Sequence, residues 1–154
     1  MNRMDLDQSQ EETFARVTPL TRDAYPPERR LVGEALLNYL DSRVFAVVAS
    51  TRPDGRPHAA VSSYARRGIT IWLPTAAGAV RQANLRTQPW VVLVASEGDR
   101  DEHVAVIVEG PGAAVSPSEV PSDVVATAPD AGISMWLRMD AQRLLSYAAK
   151  RADA

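Results

Sequence analysis

Phe45-Ala46-Val47-Val48-Ala49-Ser50-Thr51-Arg52-Pro53-Asp54-Gly55-Arg56-Pro57-His58-Ala59-Ala60-Val61-Ser62-Ser63-Tyr64 is the stretch whose reading decides the fold. Its first five residues are apolar and β-prone, and Pro53-Asp54-Gly55 is turn chemistry, in which proline presets φ and glycine accepts a positive one. Ala59 to Tyr64 forms a second strand whose small side chains let another group approach its face. The stretch reads as a β-hairpin. Arg66-Arg67-Gly68 turns the chain again, Ile69-Thr70-Ile71-Trp72-Leu73 alternates with β-branched and aromatic residues, and Pro74 stops it because proline cannot donate to a ladder. Three strands in sequence make a meander.

Downstream, Thr75 to Arg86 leads through small residues into a short helix that stops before Pro89. A helix N-terminus with a nearby arginine suits a phosphate, although exposed arginines on short helices are usually just solvated. Trp90 to Ala95 is a buried strand, the charged turn Glu97 to Glu102 follows, and His103 to Gly110 returns as its partner. Gly110-Pro111-Gly112 bends the chain, and Ser116-Pro117-Ser118-Glu119 fits a capping box opening a short helix. Pro129-Asp130-Ala131-Gly132 marks a loop. Ile133 to Met139 is a final strand, after which Asp140 is expected to cap a terminal helix carrying Leu144, Leu145, Tyr147 and Ala148.

Upstream, Pro26-Pro27 opens an amphipathic helix from Glu28 to Asp41-Ser42, with apolar residues at Leu31, Val32, Ala35, Leu36, Tyr39 and Leu40. Residues 1–24 are polar without a sustained period and are expected to form a flexible N-terminal arm, leaving 25–154 as one domain. About six strands in meander order, with helices at the start, middle and end, predict a mainly β fold: an antiparallel barrel with peripheral helices.

The 154 residues suffice for one core without metal or disulfide staples. A net charge of −2, with 23% charged residues, gives no long-range pull toward nucleic acid or anionic lipid. The absence of cysteine excludes disulfides, thiolate nucleophiles and cysteine-ligated metal. Lys150 is the sole lysine, which removes Schiff-base chemistry elsewhere. The acidic N-terminus and the lack of a long apolar run lead to the expectation of a cytoplasmic protein with no membrane partner. The two histidines and scattered carboxylates show no metal-ligand spacing, and there is no dinucleotide glycine motif or Walker loop. His58 follows a turn, where a histidine commonly faces solvent; the alternative is contact with a ligand. Trp72, Trp90 and Trp136 are assigned to core or dimer packing, and the pairs Arg29-Arg30 and Arg66-Arg67 to solvated faces.

Four stretches in order, Thr51 to His58, Ile71 to Thr75, Gly78 to Leu85 and Val106 to Gly110, together with Leu137 to Tyr147, resemble the pyridoxamine 5'-phosphate oxidase-like, FMN-binding split β-barrel superfamily. The resemblance spans roughly residues 28 to 149. It implies a six-stranded antiparallel split barrel and a homodimer with FMN or F420 in a groove at the dimer interface. It also implies a flavin- or deazaflavin-dependent oxidoreductase acting on a small-molecule substrate. Carried over by position, Pro57, His58, Ala60, Val61 and Ser62 are candidates for ring or ribityl contacts, and Thr75 and Arg81 for the phosphate end. Asn84 falls on a recurrent asparagine that serves either a structural hydrogen bond or the ligand. No catalytic side chain is implied, because hydride transfer belongs to the cofactor. Ala79-Val80-Arg81 stands where the family commonly has a more basic cluster, and each charge-assisted bond so lost is worth roughly 1.5–3 kcal/mol. That departure motivates an alternative expectation: a split-barrel protein with weakened flavin binding that holds another flat ligand such as haem. Pyridoxamine phosphate oxidation itself is not expected, since the basic contacts it requires are not placed.

Overall fold

The computed structural model of the protein describes residues 4–128, 133 and 135–150. In chain order the elements are helices α1 (Met4–Arg16) and α2 (Pro19–Ala24), a 3-10 turn at Pro27–Arg29, and helix α3 (Gly33–Ser42). Strands β1 (Phe45–Thr51), β2 (Pro57–Ser63), β3 (Ala65–Arg67) and β4 (Thr70–Thr75) follow, then helix α4 (Val80–Thr87). Strands β5 (Trp90–Glu97) and β6 (Val104–Val115) precede helix α5 (Ser122–Val125), and strands β7 (Met135–Asp140) and β8 (Arg143–Ala148) close the described chain. The expected loop at Pro129 to Gly132 lies outside the described residues.

All strand pairs are antiparallel, in the order β2-β1-β5-β6-β7-β4-β3, with β8 on the second side of β6. The sheet curls because β6 serves two neighbourhoods. Its first part, Val104 to Pro111, pairs with β5 and also with β8, whereas Gly112 to Val115 pairs with β7. The change falls at Gly110-Pro111-Gly112. A Cβ built on Gly110 would lie 1.9 Å from the Asp140 carbonyl oxygen, so only glycine lets the β7–β8 connection pass there. The expected split-barrel class is therefore what the chain adopts, with eight strands among the described residues.

The main core lies inside the curl: Leu36 and Leu40 of α3 meet Val48, Leu93, Val106, Val108, Leu137, Met139 and Leu144. A second cluster, Ala65, Trp72, Val120, Val124 and Trp136, lies under α5. Among the described residues no helix is long and apolar enough to cross a membrane.

Three expectations are corrected. Residues 4–24 are not a flexible arm. Helix α1 buries Leu6, Gln10, Thr13 and Phe14 along one face and lies on β8. There the Leu144 amide, on the edge of β8 away from β6, donates to Thr13 Oγ1 at 3.0 Å, and the Ser146 hydroxyl joins Gln10. Arg30 stacks over the Phe14 ring at 3.5 Å. Next, the helix expected from Glu28 is a 3-10 turn and a separate α3, because residues 30–32 are held extended by tertiary bonds. The Leu31 amide donates to Ser146 Oγ at 2.9 Å, and Gln10 Nε2 donates to the Leu31 carbonyl at 2.8 Å. Finally, the expected terminal helix is strand β8. Asp140 caps nothing: its carboxylate accepts the Thr70 hydroxyl at 2.7 Å, and the Gln142 amide donates to the Glu109 carbonyl at 2.8 Å to start the new strand.

Candidate functional site

The hairpin register sorts the candidate residues by face. Ser62 opposes Ala46, Ala60 opposes Val48 and His58 opposes Ser50. Ala46, Val48 and Ser50 are buried, and directly opposed residues of a ladder share a face, so His58, Ala60 and Ser62 belong to the interior face. Pro57 and Val61 take the other face. Val61 is 69% exposed and opposes Val47, beside the exposed Phe45. The turn forms as the sequence dictates: Gly55 has φ +89°, and its amide donates to the Arg52 carbonyl at 2.8 Å. Asp54 accepts from both the backbone and the guanidinium of Arg56, and these bonds hold its carboxyl below the usual carboxylate range.

Helix α4 brings the remaining candidates to the same end of the barrel. Asn84 is fully buried and donates through Nδ2 to Ser50 Oγ at 2.9 Å. The structural role expected as one alternative for Asn84 is thus met by a bond that fixes α4 to β1. Ser50, which the sequence reading did not single out, is the acceptor and also the register partner of His58. Arg81, one helical turn before Asn84, donates through Nε to Thr75 Oγ1 at 3.2 Å and through Nη2 to the Pro74 carbonyl at 2.7 Å. Thr75 is itself buried and donates to the Leu73 carbonyl at 3.1 Å, so its hydroxyl positions the guanidinium.

Two features make this end the candidate place for a ligand. Arg81 is half-buried and has no carboxylate partner among the described residues, and burial pulls its pKa below the usual guanidinium value. A desolvated cation with no counter-charge is costly, and an anion relieves that cost. Secondly, Nδ1 of His58 is buried and makes no hydrogen bond among the described residues, so the ring is not simply solvated after its turn. Helix α4 presents its start without a side-chain cap: Ala79 stands at the N-cap and Val80 is exposed.

The arginines at the far end of β2 behave differently. A cleft of about 380 Å³ there is bordered by Arg43, Tyr64, Arg66 and Arg67. Arg66 is paired with Asp41 at 2.6 Å, Arg67 with Asp123 at 2.7 Å and Arg43 with Glu97. Their charge is already answered, and Arg66-Arg67 are ion-paired rather than merely solvated. Of the tryptophans, Trp72 and Trp136 are core, while Trp90 is 41% exposed. Among the described residues no three histidine, aspartate or glutamate side chains converge as metal ligands.

An antiparallel sheet wrapped about β6, with helices at its periphery, defines the chain as a split β-barrel. The chain belongs to the pyridoxamine 5'-phosphate oxidase family, whose sequence pattern matches residues 32–149. It is similar in structure to a conserved hypothetical protein of Mycobacterium tuberculosis, with TM-score 0.71, 21% identity, and coverage of 84% of this chain and 92% of that one. Two further similar structures are an FAD-binding protein of Mycobacterium smegmatis and the haem storage protein HutZ of Vibrio cholerae. For the first the TM-score is 0.55, with 20% identity and coverage of 77% and 95%. For the second it is 0.59, with 15% identity and coverage of 72% and 92%. No curated protein sequence matches the chain.

Proposed function

We propose that the protein is a cytoplasmic, homodimeric oxidoreductase that binds FMN or F420 and acts on a small organic substrate. The observation that carries this reading is Arg81, a half-buried guanidinium without a carboxylate partner among the described residues at the open start of α4. In this reading its free Nη1 and the first turn of α4 take the phosphate, Thr75 holds the guanidinium in place, and His58, Ala60 and Ser62 border the ring. The His58 Nδ1 atom then gains the polar partner it lacks. When bound, the flavin or deazaflavin supplies hydride transfer, while the chain's own residues orient the substrate and exclude water. The exterior patch of Phe45, Val47, Val61 and Val94, with Pro57 at its edge, takes the second copy.

The test is absorbance and fluorescence titration of the purified protein with FMN and F420 separately. Micromolar binding of one of them is expected. Arg81→Gln is expected to weaken FMN by roughly 10- to 100-fold, one charge-assisted bond of about 1.5–3 kcal/mol, and to leave unphosphorylated riboflavin unchanged. Binding of neither cofactor overturns the reading. A second reading, retention of another flat ligand such as haem without turnover, is favoured by the single arginine beside the exposed Val80 and by the likeness to a haem storage protein. Stable uptake of haem together with failure to bind FMN or F420 would select it.

A further inference from the structure

A cleft of about 420 Å³ lies on the side of the molecule where α1 turns into α2, away from Arg81 and His58. That volume falls within the range of small-molecule sites. One wall comes from the helical corner, with Arg16, Thr18 and Thr21; the other comes from the sheet, with Trp90, Gln142 and Arg143. The corner precedes residue 32, so this wall lies outside the part of the chain that matches the family pattern.

The side chains at this cleft have unequal demands. Glu109 accepts from Trp90 Nε1 at 3.2 Å and is ion-paired with Arg143, so the carboxylate is answered and the indole is pinned by its edge with its surface still 41% exposed. The Thr18 and Thr21 hydroxyls bond each other at 3.1 Å. Glu12, also in the wall, accepts the Gln8 side-chain amide at 3.0 Å. Arg16, in the last turn of α1, has no ion-pair partner among the described residues. A fixed, partly exposed indole offers a stacking platform, and the Arg16 guanidinium, exposed and one turn from the Glu12 carboxylate in the same wall, is free to pair with an acid group that a ligand brings.

We propose that this cleft is a second small-molecule site, which takes a flat aromatic carboxylate with its ring on Trp90 and its acid group on Arg16. The site does not depend on the cofactor reading, since it shares no residue with the Arg81 end.

Naphthoate is the probe and its neutral counterpart naphthylmethanol the control, measured by calorimetry on the full chain. Trp72 and Trp136 are buried, so quenching of the exposed tryptophan emission reports on Trp90. Saturable binding of naphthoate with quenching is expected. Arg16→Gln lowers its affinity about tenfold or more, to the level of naphthylmethanol, Trp90→Leu abolishes it, and Arg81→Gln leaves it unchanged. Both altered side chains are surface-exposed, and circular dichroism verifies that the variants fold. Absence of saturable heat and quenching in the parent protein overturns the proposal, as does an affinity that neither Arg16→Gln nor Trp90→Leu moves.

Discussion

Replacing Ser146 by alanine tests whether the N-terminal helix is part of the fold. The Ser146 side chain is fully buried, and its hydroxyl accepts from the Leu31 amide at 2.9 Å and donates to Gln10 Oε1. Alanine leaves both groups buried and unanswered. At about 1–3 kcal/mol for each orphaned group the cost is about 2–6 kcal/mol; a value near 3 is expected because Gln10 keeps its Nε2 bond to the Leu31 carbonyl. Gln10→Leu should cost less, about 1 kcal/mol, since the Ser146 hydroxyl already lies 3.2 Å from the Leu31 carbonyl and can turn to it. Urea unfolding followed by circular dichroism at fixed protein concentration measures both. With a slope of roughly 1–3 kcal/mol per molar urea, Ser146→Ala should lower the midpoint by about 1–3 M. A loss below about 0.5 kcal/mol for Ser146→Ala refutes the reasoning and restores a loosely attached arm, whereas a larger loss for Gln10→Leu than for Ser146→Ala refutes the assignment of the cost to Ser146.

Gly110→Ala is expected to yield no soluble folded protein on expression and circular dichroism, because its Cβ would sit 1.9 Å from a backbone oxygen. Gly55→Ala, with nothing within 4 Å but a positive φ, should fold with a loss of about 1–2 kcal/mol. Val61→Asp with Phe45→Glu should convert a dimer to a monomer in sedimentation velocity without loss of secondary structure; a monomeric parent, or a dimer that survives both changes, contradicts the assignment of that face. Burial and then Glu97 push the Tyr39 phenol up to about 12, and burial and then Asp41 push Tyr64 further up. The folded chain thus keeps protons that the unfolded chain has lost. This tyrosine contribution to stability is fully present below about pH 10 and is lost as pH rises toward 12, and Tyr39→Phe should flatten that fall in unfolding curves taken across this window.

The hairpin was legible because everything that makes it is local: Pro53-Asp54-Gly55 closes the turn and the alternation on either side states the register. The same holds for the stop at Pro74 and the capping box at Ser116, where both reciprocal bonds form. What escaped reading depends on partners distant in sequence. Helix α1 carries no obvious apolar stripe because Gln10 and Thr13 stand among its buried positions, and they find their partners in β8 more than a hundred residues later. Strand β8 shows no two-residue period because Leu144, Leu145 and Ser146 are all buried in succession, so both faces of the strand are covered, and α1 lies against it. At the candidate site, Arg81 was visible as an arginine at a helix start, but its lack of a carboxylate is a property of the folded surroundings. A serine such as Ser50 inside a strand gives no signal until Asn84 is placed beside it.

The attachment of α1 bears on where this protein begins as a folding unit. The family pattern starts at residue 32, and a chain trimmed to that boundary keeps every strand while losing Thr13, Gln10 and the helix that covers β8. The outer edge of β8 would then offer unpaired backbone groups to any passing strand, a template for sheet extension between molecules. A boundary drawn from shared sequence here cuts through the seam that covers a sheet edge.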